Sequence, residues 1–333
     1  MALPVVVIPA DFPPLVSRSP LLPQLDRLAD VRLYLDRPQS AAAQIERIAE
    51  ADIVLNSRGS LSFPQAILQA LPRLKMLAVC GIGYDSIHLP TATQQGIVVC
   101  NIPGRTAPIV AEHALALLLA TARRMAWMTA ELRSGHWPGD LSLSLAGRQL
   151  GVIGTGHIGC EMLRLARAIG MQTVAWSLHP DQAKAERLNF RYVSLPELLQ
   201  TSDAVSLHTR LSDQTRHLLN AERLALMKPT AVLINTARGA IVDSVALAEA
   251  LQKRQLFAAG LDVYEQEPLP ADHPLLACEQ VVLTPHSADM TQAGVDLLTQ
   301  GCIDNIEAFL QGRPQNVVNP DVLSFPQSPS DTV

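Results

Sequence analysis

The chain has 333 residues, a formal net charge of −5 and no long run of lysine or arginine, so neither a nucleic acid nor a membrane surface is expected as partner. That length suits roughly two domains, with enough chain to bury a core in each. Five cysteines (Cys80, Cys100, Cys160, Cys278 and Cys302) are scattered without a C-x-x-C, which argues against a disulfide framework or a zinc site and points to core thiols in the cytoplasm, with no metal.

The opening stretch MALPVVVIPADF lacks a basic n-region and meets Pro4, Pro9 and Asp11, so it reads as a first strand rather than a signal peptide. Further β-branched runs follow in the order ADIVLNS, LKMLAVCG and GIVVCNIP, then QLGVIGTG, MQTVAWS, DAVSLHT, TAVLINTA, FAAGLDV and QVVLTPH. Helical patterns separate them, and this alternation argues βαβ units with parallel sheets buried on both faces. Between the first four runs and the last six lies one amphipathic segment, 107–134, opened by Pro108 and ended by Ser134-Gly135, which reads as a single interdomain helix. Its apolar stretch IVAEHALALLLATA is interrupted by Glu112 and His113 and followed by Arg123 and Arg124, too short and too polar to cross a bilayer. After the last strand a second long helix, MTQAGVDLLTQGCIDNIEAFLQG, is placed to carry the chain back to the first domain, and the polar end PQSPSDTV is expected to fray.

Two glycine turns compete for a dinucleotide. CGIGYDSIHLP follows a strand but has no third glycine at the right spacing, and Pro90 is expected to interrupt a helix there. GTGHIG supplies Gly154, Gly156 and Gly159, with Thr155, His157 and Ile158 between them, after an apolar strand and before a helix. Gly154 permits the tight turn, Gly156 lets backbone approach a pyrophosphate, and Gly159 allows close helix packing, with the helix N-terminus facing the anion. The next strand ends at Ser177, where an Asp or Glu ordinarily accepts hydrogen bonds from the adenosine ribose. Asp181 follows near the usual interval but beyond Pro180 and the turn. A neutral Ser177 removes repulsion against a 2'-phosphate, and Arg210 is able to approach the same edge, so NADP is favoured over NAD.

A nicotinamide supplies a hydride, so the protein must hold the substrate and move a proton. Arg238 follows a buried strand at its carboxyl end, where a guanidinium can fork a carboxylate. His286 also sits just past a strand and belongs to the side-chain type suited to proton transfer near neutrality. On a third strand-end loop, Glu267 and Glu265 are rival partners for an imidazole, and spacing does not choose between them.

GTGHIG, NTARG, LDVYEQEP and LTPHSA in this order, preceded by GIGYDSI and VAEHALALLLA, resemble the D-2-hydroxyacid dehydrogenase family over residues 50–320. The resemblance implies an α/β fold of two Rossmann-like domains: a flavodoxin-like substrate domain (1–101 completed by 290–333), a dinucleotide-binding Rossmann domain (102–289), and a hinged cleft. It further implies a catalytic set of Arg238, Glu267 and His286, with Glu267 preferred over Glu265. The amides around Ile82 and Gly83 would hold a substrate carboxylate, Asp262 would meet the nicotinamide carboxamide, and Thr236 with His208, Thr209 and Arg210 would line the cofactor. The implied activity is hydride transfer between the nicotinamide and C2 of a small 2-oxo or D-2-hydroxy acid such as glyoxylate, hydroxypyruvate or pyruvate. The implied assembly is a homodimer, with Trp137 on its arm SGHWPGDLSLSLAG. Ser177 in place of the ribose acid, Arg210 where proline is common and Ser287 after the histidine depart from the family pattern. Two alternatives are a cofactor-sensing binding protein and a formate- or phosphite-type dehydrogenase; formate dehydrogenases carry glutamine where Glu267 stands.

Overall fold

The computed structural model describes residues 3–324, and the PQSPSDTV end lies outside the described residues. Two compact units divide the chain, one running to Thr106 and resuming at Met290, the other spanning Ala107–Asp289.

In the first unit, β1 (Val5–Ile8), β2 (Asp30–Leu33), β3 (Ile53–Ser57), β4 (Met76–Cys80) and β5 (Val98–Cys100) form an all-parallel sheet in the order β2-β1-β3-β4-β5. This is the flavodoxin-like order. Helices α1 (Ala41–Ile48), α2 (Gln65–Gln69) and α3 (Leu89–Gln94) connect the strands. Every residue of β3, β4 and β5 is buried, as a parallel sheet covered on both faces requires. Pro90 does not block α3, because it stands in the first turn, where a missing N–H costs no hydrogen bond. The expected returning helix is α11 (Gln292–Leu310), and it lays Val295, Leu298, Cys302, Ile303 and Ile306 on the core that holds Ile53, Leu55, Met76 and Ala78.

The second unit holds a seven-stranded parallel sheet of β6 (Gln149–Ile153), β7 (Gln172–Trp176), β8 (Arg191–Tyr192), β9 (Ala204–Leu207), β10 (Val232–Asn235), β11 (Ala258–Leu261) and β12 (Val281–Leu283). Its order, β12-β11-β10-β9-β6-β7-β8, turns at β6 and β9. That reversal is the topological switch point of a Rossmann sheet, where strand ends open a crevice. The helices are α4 (Ala107–Ala122), α5 (Met125–Arg133), α6 (His157–Ala168), α7 (Gln182–Leu188), α8 (Leu195–Thr201), α9 (Ala221–Leu224) and α10 (Ser244–Gln252).

The single helix read over 107–134 is two helices. Arg124 takes a left-handed backbone (φ 52°), stacks its guanidinium 3.8 Å over the Trp127 ring and pairs with Asp140 at 3.6 Å, while the Leu143 amide takes the Ala122 carbonyl. Neither Gly nor Pro marks the break, so the sequence conceals it. The pass along the sequence also missed β2 and β8, both strands at a sheet edge: β2 is short and partly exposed, and β8 has two residues.

Candidate active site

The glycine turn forms where β6 ends. Gly154 has φ +98°, and a Cβ there would lie 2.6 Å from the His208 carbonyl and the Thr209 amide, so the loop after β9 crosses directly over it. A Cβ on Gly159 would meet the Gly154 oxygen at 1.9 Å, which fixes the helix against the turn. Gly156 is the reverse case. It precedes α6 in extended conformation, no side chain caps the helix, and a Cβ would find nothing within 4 Å. The first amides of α6 therefore face open space, a cradle for an anion at a positive helix end.

Two polar atoms beside this turn lack partners. His208 Nε2 meets the Ser206 hydroxyl at 2.8 Å, but its Nδ1 is buried and unpaired, as is Thr236 Oγ1 at the end of β10. Burial pushes the His208 imidazole down to about 3, so it is neutral at physiological pH and contributes no cation. Unmet polar atoms at a switch point, next to an uncapped glycine turn, fit a dinucleotide that supplies the missing partners.

Ser177 stands half-buried after β7, its hydroxyl engaged with the backbone of His179. Asp181 caps α7 by accepting from the Lys184 amide at 3.0 Å. Thr155 Oγ1 meets the Tyr192 hydroxyl at 2.7 Å, His157 is exposed as the first residue of α6, and Ile158 packs on the core. Arg210 is exposed on the loop after β9, and its carbonyl accepts from Thr215.

Arg238, Glu267 and His286 follow β10, β11 and β12, three adjacent strands, at their carboxyl ends. Asn235 folds back to fix the turn before Arg238: its Nδ2 donates to the Arg238 carbonyl at 2.9 Å and its Oδ1 accepts from the Ala237 amide at 3.0 Å. A Cβ on Gly239 would fall 1.9 Å from the Tyr264 carbonyl carbon, so the Glu267 loop crosses the backbone right after Arg238. One Arg238 Nη donates to the Ala237 carbonyl at 2.8 Å. His286, in left-handed conformation (φ 51°), sets Nδ1 2.7 Å from Glu267 Oε2, and Glu267 Oε1 accepts from the Tyr264 amide at 3.0 Å. Burial raises the Glu267 carboxyl, but the hydrogen bond and charge of His286, the Tyr264 amide and the charge of Arg238 outweigh it and hold the group below the ordinary glutamate value. With Nδ1 turned to a carboxylate, Nε2 lies on the other side of the ring.

The rival Glu265 faces elsewhere. It accepts from Ser244 through Oε1 and meets His217 Nε2 at 3.0 Å through Oε2. Asp262 is fully buried, and both its oxygens are occupied by protein donors: Thr284 Oγ1 at 2.6 Å and the Ser287 amide at 2.9 Å on Oδ1, the Ala288 amide at 3.0 Å on Oδ2. These bonds hold the His286 loop. Ile82 and Gly83 lie in the first unit, in the turn after β4, where Asn101 Nδ2 donates to the Ile82 carbonyl at 2.7 Å. The sequence reading passed over His113, Tyr264 and Thr284, which brace the His286 loop; the one signal was a histidine interrupting an apolar helix.

The family model described as D-isomer specific 2-hydroxyacid dehydrogenase, NAD binding domain, matches residues 115–288. A glyoxylate reductase of Korarchaeum cryptofilum (strain OPF8) is 36% identical over 312 residues, covering 91% of this chain and 93% of that one. Among solved structures, an acyclic imino acid reductase in complex with NADPH and D-Arg superposes with a TM-score of 0.85 at 28% identity, covering 94% and 99% of the two chains. A D-lactate dehydrogenase from Aquifex aeolicus, complexed with NAD and lactic acid, does so at 0.83 and 27%, covering 95% and 99%. The chain belongs to the D-isomer specific 2-hydroxyacid dehydrogenase family. It is an oxidoreductase with a nicotinamide dinucleotide coenzyme, and the two complexes show the fold accepting either NADPH or NAD.

Proposed function

We propose that this protein reduces a short 2-oxo acid of the glyoxylate, hydroxypyruvate or pyruvate type at the expense of NADPH. The observation that carries the reading is the His286 Nδ1–Glu267 contact of 2.7 Å, with the charge of Arg238 acting on the same carboxylate.

The Gly154–Gly159 turn, with Thr155, His157 and Ile158, holds the coenzyme phosphates, and Ser177, His208, Thr209, Arg210, Thr236 and Asp262 line the rest. When bound, the coenzyme supplies the hydride. Arg238 forks the substrate carboxylate and orients the neighbouring carbonyl, a task that needs a planar cation. The amides of Ile82 and Gly83 share the carboxylate, an assignment carried by the resemblance alone. His286, protonated and backed by Glu267, delivers a proton from Nε2 to the carbonyl oxygen as it takes up charge. Glu267 keeps the ring oriented through its contact with Nδ1.

NADPH is chosen over NADH because Ser177 leaves no carboxylate to repel a 2'-phosphate. The protein is placed in the cytoplasm, supported by cysteines that stand as free thiols, and works as a homodimer through the arm bearing Trp137 and Leu141, which are 89% and 90% exposed in the single chain.

The test is oxidation of NADPH and NADH, in parallel, against glyoxylate, hydroxypyruvate, pyruvate and phenylpyruvate. Turnover of a short 2-oxo acid, faster with NADPH, is expected, and Ser177→Asp should shift the preference toward NADH by about ten-fold or more. Tight coenzyme binding without turnover of any 2-oxo acid would instead favour a cofactor sensor.

A further inference from the structure

We propose that His113, on α4, is a positioning residue for His286, acting through the buried carboxylate of Asp262. The inference takes from the proposed function only the role of His286; the contacts that carry it are independent of that role.

Asp262 accepts three backbone bonds from the His286 loop. The Asp262 carbonyl accepts from the His286 amide at 2.7 Å, and its carboxylate accepts from the Ser287 and Ala288 amides at 2.9 and 3.0 Å. These three bonds hold consecutive residues, the first of them the left-handed His286, and two of the three end on the carboxylate, so its direction fixes the backbone that leaves the histidine. A fully buried carboxylate is stable only when hydrogen-bonded on all sides. Backbone supplies two donors, Thr284 Oγ1 a third at 2.6 Å and the Ser287 hydroxyl a longer one at 3.5 Å.

His113 adds a contact from α4 to the same Oδ1 and to the threonine that bonds it. Its Nε2 lies 3.1 Å from Thr284 Oγ1 and 3.4 Å from Asp262 Oδ1. The Thr284 proton is given to Asp262, so the hydroxyl oxygen must accept, and the His113 proton therefore sits on Nε2 and is shared between the two oxygens. The contact is built in by the packing of α4. Leu117 and Thr121, one and two turns beyond His113, press on Gly260 of β11, where a Cβ would lie 3.3 Å from Leu117 Cβ and 2.8 Å from Thr121 Oγ1. One helical turn rises about 5.4 Å and two strand residues about 6.6 Å. An antiparallel helix crossing at Gly260 thus delivers His113 beside Asp262, two residues on.

The test compares His113→Leu, His113→Gln and Thr284→Val. Gln carries an amide N–H near the position of the histidine Nε2; Leu carries none. Two readouts are taken: hydrogen exchange of the Ser287 and Ala288 amides by NMR, and kcat with KM for the coenzyme. His113→Leu should speed exchange at those amides about ten-fold over the rest of the unit and lower kcat about ten-fold, with the coenzyme KM within about two-fold. His113→Gln should restore both, and Thr284→Val should resemble His113→Leu. Unchanged exchange and kcat in His113→Leu would overturn the proposal, as would a loss spread evenly over the unit that Gln does not restore. If His113→Leu does not fold, Thr284→Val and His113→Gln decide alone. A wild-type protein that turns over no 2-oxo acid would remove the proposed reaction, while the exchange readout still judges His113.

Discussion

Two glutamates on one loop of this molecule each meet a histidine from another loop. Glu267 meets His286 at 2.7 Å and Glu265 meets His217 at 3.0 Å; both histidines have left-handed backbones, with φ of 51° and 47°. In each pair the carboxyl is raised by burial and then brought below its ordinary value by hydrogen bonds and charge. Local geometry therefore does not separate them. Their surroundings do: the second oxygen of Glu265 is tied to the amide and hydroxyl of Ser244 at the start of α10, whereas Glu267 feels Arg238, and its histidine stands on a loop held by Asp262. A histidine–carboxylate contact is common structural currency, and its catalytic meaning comes from the cation and the strand ends around it.

Breaking the members of the first pair and its cation should have the largest effects. Arg238→Ala and His286→Ala should each lower kcat/KM for a 2-oxo acid by about 10³-fold or more, Arg238→Ala with weaker substrate binding and His286→Ala with coenzyme affinity retained in a fluorescence titration. Glu267→Gln should lower kcat by about 10²-fold, because the ring loses its ionic partner but keeps a hydrogen-bonding one. Glu265→Gln is the control for the comparison, and its kcat/KM should stay within about three-fold of wild type. Similar losses in both Gln variants would erase the distinction. The smallest effect concerns stability. Since the fold depresses both carboxyls, each stabilises the native state above the ordinary glutamate value and ceases to do so as pH falls through its folded value. Both Gln variants should melt below wild type near neutrality and converge on it in acid, which thermal unfolding against pH will show.

Much of this was legible in the residues. The glycine turn, Arg238 and His286 announce themselves because each directly follows an apolar strand, and parallel sheets put ligands at those ends. Glu265 and Glu267 were inseparable by spacing, since the choice depends on which histidine each side chain meets after the loop has folded. The two edge strands were illegible because two to four partly exposed residues carry little pattern, and the break at Arg124 because its left-handed turn is held by a distant aspartate and a stacked tryptophan. His113 is the clearest loss: a histidine in an apolar helix reads as an interruption until the strand beneath it is known.

The crossing at Gly239 bears on how this enzyme can be altered. With the Tyr264 carbonyl carbon 1.9 Å from where a side chain would begin, the segment after Arg238 and the Glu267 loop form one mechanical joint. Anyone re-engineering substrate choice can randomise neighbouring side chains, but a library that varies position 239 would consist largely of proteins in which the Arg238 and Glu267 segments no longer fit together.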